Sequence, residues 1–179
     1  MPWDSPTPPR PPSRPVTLTQ VDRSHRAVLS NLGQLYRHDL SEGYGLLPND
    51  DGTFNNRELD HFFTAADPER RTWLVTAAGR VGGYVMTAPD DDGGTSIAGF
   101  FIVRALRRTG VGREAALQTI AMFPGRWCIG FQRYNAGVEK FWSSVATEVV
   151  GDRWEIHDGP TPETRPPDTF ITFVTSPAG

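Results

Sequence analysis

One segment of this 179-residue chain concentrates residue types that can bind an anion. Four arginines lie between Arg104 and Arg113, together with Gly110 and Gly112. A Gly-x-Gly pair at a helix start lets several backbone N–H groups point into one concavity, the geometry that holds phosphate groups. Against a formal net charge of −3 for the chain, this local density predicts a polyanionic ligand, with a pyrophosphate as the best match. The alternative is a solvated loop, because charge runs usually lie at the surface.

Two other phosphate-binding motifs can be tested against the same stretch. A Walker A loop requires GxxxxGK[ST], and the single lysine of the chain, Lys140, follows Glu139 inside a predicted helix. Residues 110–115 match the dinucleotide fingerprint GxGxxA. However, six residues separate them from the strand ending at Val103, and no acid that could bind a ribose occurs from 115 to 138. The sequence therefore argues against both a P-loop and an NAD site.

The elements that must position this segment follow from hydrophobic periodicity. The stretch 95–103 is apolar on both faces from Ile97 onward, which predicts a central strand. A helix over 110–123 and a strand over 126–132 come next. Such a strand–helix–strand unit requires parallel strands joined by a right-handed crossover.

The remaining segments complete a mixed fold. An edge strand, two helices and a hairpin are predicted before the central unit, and a helix and two more strands after it. Their ranges are 16–21, 24–42, 57–65, 73–76 with 81–87, 135–149, 154–157 and 169–175. We therefore predict the α/β (α+β) class, with a mixed, mostly antiparallel sheet of six or seven strands, a central parallel pair and flanking helices.

The amino-acid composition limits the possible domain organisation and binding partners. Residues 1–15 contain seven prolines, so we expect a disordered or polyproline arm there, and one domain over 16–179. A proline-rich scaffold protein is a further alternative. The net charge argues against a membrane surface or bulk nucleic acid as partner, and a homodimer stays open.

The cysteine count and the hydrophobic runs exclude other classes. A single cysteine, Cys128, cannot form an internal disulfide or a thiolate cluster, and we read it as a small buried hydrophobe. The histidines lack metal-ligand spacing, so no metal is expected. No run approaches 18 apolar residues, and the first residues lack the basic and apolar regions of a signal peptide. These observations predict a cytoplasmic protein.

The motif and its setting resemble the GCN5-related N-acetyltransferase (GNAT) family over residues 16–175. The family's coenzyme A motif is Q/R-x-x-G-x-G/A, and Arg-Arg-Thr-Gly-Val-Gly at 107–112 matches every fixed position. The Phe-Phe pair at 100–101 and the later Phe-Trp pair at 141–142 resemble those of a set of predicted bacterial acetyltransferases. The resemblance implies an acyl-CoA-dependent N-acyltransferase. It would move the acetyl group of acetyl-CoA, or another acyl group, directly to a small-molecule amine.

The resemblance also implies where coenzyme A would bind. Main-chain groups near Ile102 and Val103 would pair with the pantetheine arm like an added strand, and amides from 108 to 113 would hold the pyrophosphate. Asn135 would lie beside the pantetheine where the parallel strands splay; a plain helix N-cap is the compatible alternative. The implied cofactor-binding residues are Ile102, Val103, Arg104, Arg107, Arg108, Thr109, Gly110, Val111, Gly112, Arg113 and Asn135.

The catalytic pattern departs from the family's. Many members carry a Glu base immediately before the Phe-Phe pair, where this chain has Gly99. Many also carry a Tyr acid at the position of Trp142, which has no proton to give at neutral pH.

Three explanations remain open for these two departures. Proximity can supply roughly 7–11 kcal/mol, or other side chains supply the protons. Otherwise the fold performs non-standard chemistry, as a CoA-binding regulatory module or an aminoacyl-tRNA-using transferase. Candidates for the second explanation are His38, Asp39, Glu42, Tyr44 and Tyr134, with Tyr84 as a further one for which core packing is favoured.

Overall fold

A computed structural model describes residues 15–64, 69–133, 137–159 and 168–176. Within these residues the strands are β1 Val16–Gln20, β2 Arg71–Ala77, β3 Arg80–Pro89, β4 Thr95–Ile102, β5 Gly125–Phe131, β6 Trp154–Asp158 and β7 Thr169–Thr175. The helices are α1 Arg26–Tyr44, α2 Arg57–Thr64, α3 Val111–Ala121 and α4 Val138–Val150. The predicted mixed class is confirmed. The predicted proline-rich arm lies outside the described residues, apart from Pro15.

The seven strands form one sheet in the order β1-β2-β3-β4-β5-β7-β6. The β4–β5 pair is parallel and all other neighbours are antiparallel. The predicted central parallel pair is therefore confirmed, and β1 lies at an edge as expected. The last two strands pair as the predicted hairpin, with β7 beside β5 and β6 at the other edge.

Each face of the sheet is covered by one pair of helices, because successive side chains of a strand point to opposite faces. On one face, Leu29 of α1 and Leu59 of α2 pack in a cluster with Tyr84 and Phe101. On the opposite face, α3 packs on β2–β4, and α4 packs on β5 and β7 around the fully buried Trp127. None of the described helices is both long and apolar enough to span a bilayer.

Helix α1 begins and ends two residues later than its periodicity predicts. A 3-10 turn at Arg23–His25 precedes it, capped by Asp22, whose side chain accepts the Ser24 N–H at 2.8 Å. Hydrogen bonds from Ser24 lower the pKa of Asp22 to about 2. The helix runs through Gly43 and ends at Gly45, whose φ of 62° takes the chain into the left-handed region.

Strands β4 and β5 separate soon after they begin. Two register pairs join them, Thr95 with Trp127 and Ser96 with Cys128. On its other side β4 stays paired with β3 as far as Ile102, with a register shift that leaves Ala98 as an extra residue. A bulge of this kind bends its strand, so β4 turns away from β5 just beyond Ser96. The sheet opens there into a V whose mouth lies at the carboxyl ends of both strands.

Candidate active site

The arginine–glycine segment connects β4 to α3 at the mouth of this V. Gly110 is the N-cap residue of α3, with φ 94°, and Arg108 also has a positive φ, 63°. The Thr109 hydroxyl donates to the Leu106 carbonyl at 2.7 Å and so braces the turn. No described side chain caps α3. Its first N–H groups are therefore left for an anion, as a helix N-terminus favours.

Gly112 brings the first turn of α3 close to β4 and α4. A Cβ placed on it would lie 3.5 Å from Ile102, 3.7 Å from Phe141 and 3.8 Å from Phe100. The rings of Phe100 and Phe141 are in contact, with centroids 5.6 Å apart. A methyl group at this position would just fill the remaining space, which makes this side of the V narrow and apolar.

Three of the four arginines in the segment have a carboxylate partner. Arg104 donates to Asp39 Oδ1 from Nε at 3.0 Å and from Nη2 at 2.8 Å, and Arg107 donates to Asp39 Oδ2. Arg113 pairs with Glu148 of α4. Arg108 has no ion pair within the described part of the chain. The assignment of all four as phosphate ligands stays a prediction.

Backbone groups at the end of β4 are partly engaged inside the protein. The Val103 N–H donates to the Gly82 carbonyl at 2.9 Å, and the Val103 carbonyl accepts from the Leu106 N–H at 2.9 Å. The Ile102 carbonyl accepts Arg107 Nε at 2.8 Å. Of the main-chain groups expected to pair with pantetheine, those of Val103 are thus already used, and the Ile102 carbonyl has one donor.

The candidate catalytic residues of α1 do not form one cluster. His38 is exposed and its ring packs edge-on to Phe54, with centroids 6.3 Å apart. The Asp39 carboxylate is bound by arginines rather than by the neighbouring imidazole. Glu42 is exposed and Tyr44 is half-buried. Tyr134 and Asn135 lie outside the described residues, and α4 begins at Val138 rather than at 135 in the part described.

Gly99 and Trp142, the positions at which the resemblance leads us to expect a base and an acid, both lie in packed surroundings. A Cβ on the buried Gly99 would lie 3.4 Å from the Tyr84 ring and 3.5 Å from Met86 Sδ. Trp142 is 3% exposed and lies edge-on to Phe100, with centroids 5.1 Å apart. Tyr84 is 1% exposed, as its predicted core packing requires. Tyr36 of α1, which is not among the candidates named from the sequence, packs edge-on to Tyr84, with ring centroids 5.9 Å apart.

A polar cavity of about 270 Å³ lies between α1, the following loop and α2. Gln34 fixes its wall, because its side chain accepts the Phe54 N–H at 2.6 Å and donates to the Phe54 carbonyl at 2.9 Å. The other lining residues are Ser30, Asn49, Thr53, Asn55, Asn56, Leu59 and Asp60. Asn56 Nδ2 is buried with no hydrogen-bond partner among the described residues. No cluster of three metal-ligating side chains occurs in the described ranges.

Solved structures with this architecture are numerous. An acetyltransferase from Thermus thermophilus matches with a TM-score of 0.64 at 16% identity, over 89% of this chain and 96% of that one. The RimL ribosomal L7/L12 alpha-N-protein acetyltransferase, solved with coenzyme A, matches with a TM-score of 0.64 at 12% identity, over 91% and 96%. A spermidine N-acetyltransferase chimera from Vibrio cholerae and hSSAT gives 0.56 at 12%, over 89% and 95%.

The sequence comparisons match this chain to a protein family but to no individual curated protein. The family model described as "Acetyltransferase (GNAT) family" matches residues 30–143, which is more than half of the chain. The matched region includes both strands of the V, the arginine–glycine loop and Asp39. The resemblance found in the motif is thereby confirmed, and the chain belongs to the acetyltransferase (GNAT) family.

Proposed function

We propose that this protein is an N-acetyltransferase that binds acetyl-CoA in the V between β4 and β5. In this proposal the acetyl group passes directly to a small-molecule amine within a ternary complex. The observation that carries the proposal is the separation of β4 from β5 beyond Ser96, next to the uncapped start of α3 at Gly110. The apolar wall and the free amides fit the pantetheine arm and the pyrophosphate of this donor respectively.

The binding roles divide between main chain and side chains. The N–H groups of residues 111–113 would donate to the pyrophosphate, and Arg108 would add a cation. Beyond Ser96, no backbone pairing to β5 follows in the described residues, so β4 offers main-chain groups to the amides of the pantetheine arm. Because both main-chain groups of Val103 are engaged, we place this pairing at Ile102 and at earlier residues of the strand.

The chemistry would depend mainly on orientation. An amine must lose a proton to attack a thioester, and the departing thiolate must gain one. Neither Gly99 nor Trp142 can exchange that proton, so we assign both transfers to solvent. Holding two substrates in a reactive geometry can supply roughly 7–11 kcal/mol. An amine that is already largely neutral suits such a site best.

The polar cavity supports a small acceptor. Its volume equals that of about nine water molecules. Asp60 is the charged residue among the described side chains that line it, and Arg26 approaches that carboxylate to 3.7 Å. Arg26 thereby offsets the charge of Asp60, and the amide and hydroxyl groups of the other lining residues favour oxygen atoms on the ligand. We therefore propose a polar, largely neutral amine that also carries hydroxyl or carbonyl oxygens.

Calorimetry with acetyl-CoA tests the donor, and thiol release with a panel of amines tests the reaction. We expect binding below millimolar concentration and release that depends on the amine. Asp60→Asn should raise the KM of the amine and leave the affinity for acetyl-CoA unchanged. Absence of binding at millimolar acetyl-CoA would end the proposal.

Binding without turnover on any amine would favour the alternative functions. These are a CoA-binding regulatory module and an aminoacyl-tRNA-using transferase of the same fold. The observation behind them is the packing of Tyr84 against Gly99 and the burial of Trp142, which leave no acid or base at those two positions. Transfer from aminoacyl-tRNA in place of acetyl-CoA would then separate the transferase from the regulatory module.

A further inference from the structure

Asp39 joins α1 to the loop to which the proposed function assigns the pyrophosphate. Its carboxylate is 17% exposed and takes donors from two arginines, Arg104 through Nε and Nη2, and Arg107 through Nη2. These partners lie 65 and 68 residues further along the chain. A carboxylate bound by two guanidinium groups is a charge-assisted arrangement with fixed geometry.

Arg107 links Asp39 to the end of β4. While one end of the Arg107 guanidinium binds Asp39, its Nε donates to the Ile102 carbonyl at 2.8 Å. The Arg107 guanidinium also lies over the Phe101 ring, 5.8 Å from its centroid. Arg107 is therefore fixed by α1, by the backbone of β4 and by an aromatic face. The chain that leaves this anchor turns through two positive φ angles, at Arg108 and Gly110, before α3 begins.

We propose that Asp39 is a positioning residue for the pyrophosphate of coenzyme A, an inference that rests on the proposed function. It holds Arg104 and Arg107 as struts of the loop, so that the N–H groups of residues 111–113 face the phosphates. The phosphate charge is then met by those amides and by Arg108, which has no ion pair in the described residues. The two struts do not bind the phosphates themselves.

Two roles for the struts predict opposite results for one substitution. If Arg104 and Arg107 bind phosphate directly, Asp39 competes with the ligand, and Asp39→Asn should tighten coenzyme A binding. If Asp39 positions the loop, the same substitution removes the charge that holds both guanidinium groups and binding should weaken. The side-chain volume is nearly unchanged, so packing alone predicts no change.

The test is calorimetry of coenzyme A with the full chain, comparing wild type, Asp39→Asn and Asp39→Glu. We expect a loss of affinity of about tenfold for Asn, a size typical of a charge-assisted contact, and partial recovery with Glu. The matched control is Glu42→Gln. It removes an acidic charge from the same helix at an exposed residue for which the described residues provide no arginine partner, and it should change affinity less than twofold.

Two further measurements separate positioning from a general loss of structure. Millimolar pantetheine, which lacks phosphate, should raise the Tm of wild type and Asp39→Asn by the same amount in a thermal-shift assay. If Asp39→Asn weakened pantetheine binding as much as coenzyme A binding, the proposal would be overturned. Arg104→Gln and Arg107→Gln should weaken coenzyme A binding without reducing its salt dependence, since no phosphate contact is removed. Tighter binding by Asp39→Asn would overturn the proposal alone, whereas absence of wild-type binding would overturn the proposed function.

Discussion

At the scale of the residue, Gly110 and Gly112 serve the loop in different ways. A Cβ on Gly110 would meet no atom within 4 Å, and its φ of 94° is what demands glycine. Gly112 instead lies where a Cβ would touch three neighbours at ordinary contact distance. Gly110 is thus required by backbone conformation, whereas the space at Gly112 would accept a methyl group but little more.

Gly110→Ala should weaken coenzyme A binding. A left-handed conformation costs an L-residue about 1–2 kcal/mol, so the N-cap should relax and turn the following amides away from the phosphates. We expect a roughly tenfold rise in the Kd measured by calorimetry. Gly79→Ala provides the control, because that glycine has a φ of 74° and equally open surroundings in the β2–β3 turn. Equal affinity losses in both variants would contradict a local role for Gly110.

The single thiol reports on the closed end of the V. Cys128 is half-buried, not fully buried as the sequence predicts. This partial burial raises the pKa of its thiol, and the charge of Asp90 raises it further. A raised pKa lowers the thiolate fraction at a given pH, so alkylation by iodoacetamide should be slow near pH 7.5 and should accelerate at a higher pH than in the unfolded chain. Mass spectrometry follows the reaction, and the unfolded chain in denaturant is the reference. Equal rates for native and unfolded protein would show that the thiol is not shielded.

At the scale of the element, the V depends on a clamp at its closed end. The Asp90 side chain is 9% exposed and accepts the N–H groups of Asp92 at 3.1 Å and Gly94 at 2.5 Å, together with Arg126. These bonds fasten the β3–β4 turn to the first residues of β5, next to the two register pairs that hold β4 and β5 together.

Asp90→Ala should loosen that clamp. It leaves the N–H groups of Asp92 and Gly94 without their acceptor and leaves Arg126 with the exposed Asp92 carboxylate alone among the described residues, which should lower the free energy of unfolding by about 1–3 kcal/mol. Urea denaturation followed by the fluorescence of the five tryptophans measures the change. Asp91→Ala, in the same turn but exposed, should stay within about 0.5 kcal/mol of wild type. If both variants lowered the free energy of unfolding by a similar amount, any change in the turn would suffice, and the hydrogen bonds of Asp90 would not be the cause.

Periodicity predicts the elements well because each signal is local. The apolar run that begins at Ile97 identifies a central strand, and the motif at 107–112 indicates the turn for which we propose anion binding, since both are contiguous. Periodicity does not predict the separation of β4 from β5. That separation depends on the bulge in β4, which is visible only in the register of β4 against β3, where Gly99 pairs with Met86. The role of Asp39 is hidden for a similar reason, as its partners lie more than sixty residues away.

At the scale of the whole molecule, the site is assembled from distant parts of the chain. Helix α1 presents Gln34 to the cavity loop and Asp39 to the arginine loop, roughly 140° apart around a helix of 3.6 residues per turn. The polar cavity and the arginine–glycine loop are therefore both attached to one helix. The sequence reveals the acidic character of the loop at 43–56 but not the cavity, because the walls come from three elements that meet only in the folded chain.

Donor binding should stabilise the entire domain. A ligand at 100 times its Kd adds about 2.7 kcal/mol to the free energy of unfolding, which should raise the Tm by several degrees for a chain of this size. Differential scanning calorimetry across a series of coenzyme A concentrations measures the shift. A Tm that stays constant while calorimetry shows binding would mean that the site is not coupled to the cooperative fold.

The parting of β4 from β5 has a consequence for how this chain behaves before it meets a substrate. Beyond Ser96, within the described residues, the side of β4 that faces β5 carries a row of hydrogen-bonding groups without a strand partner. Such an internal edge is of the kind that invites intermolecular strand addition and aggregation. The narrow, aromatic-lined approach and the bulge at Ala98 restrict access to it. The chain thus folds with this part of its sheet unpaired, and in the proposed function the pantetheine arm of the donor would be the segment that completes it.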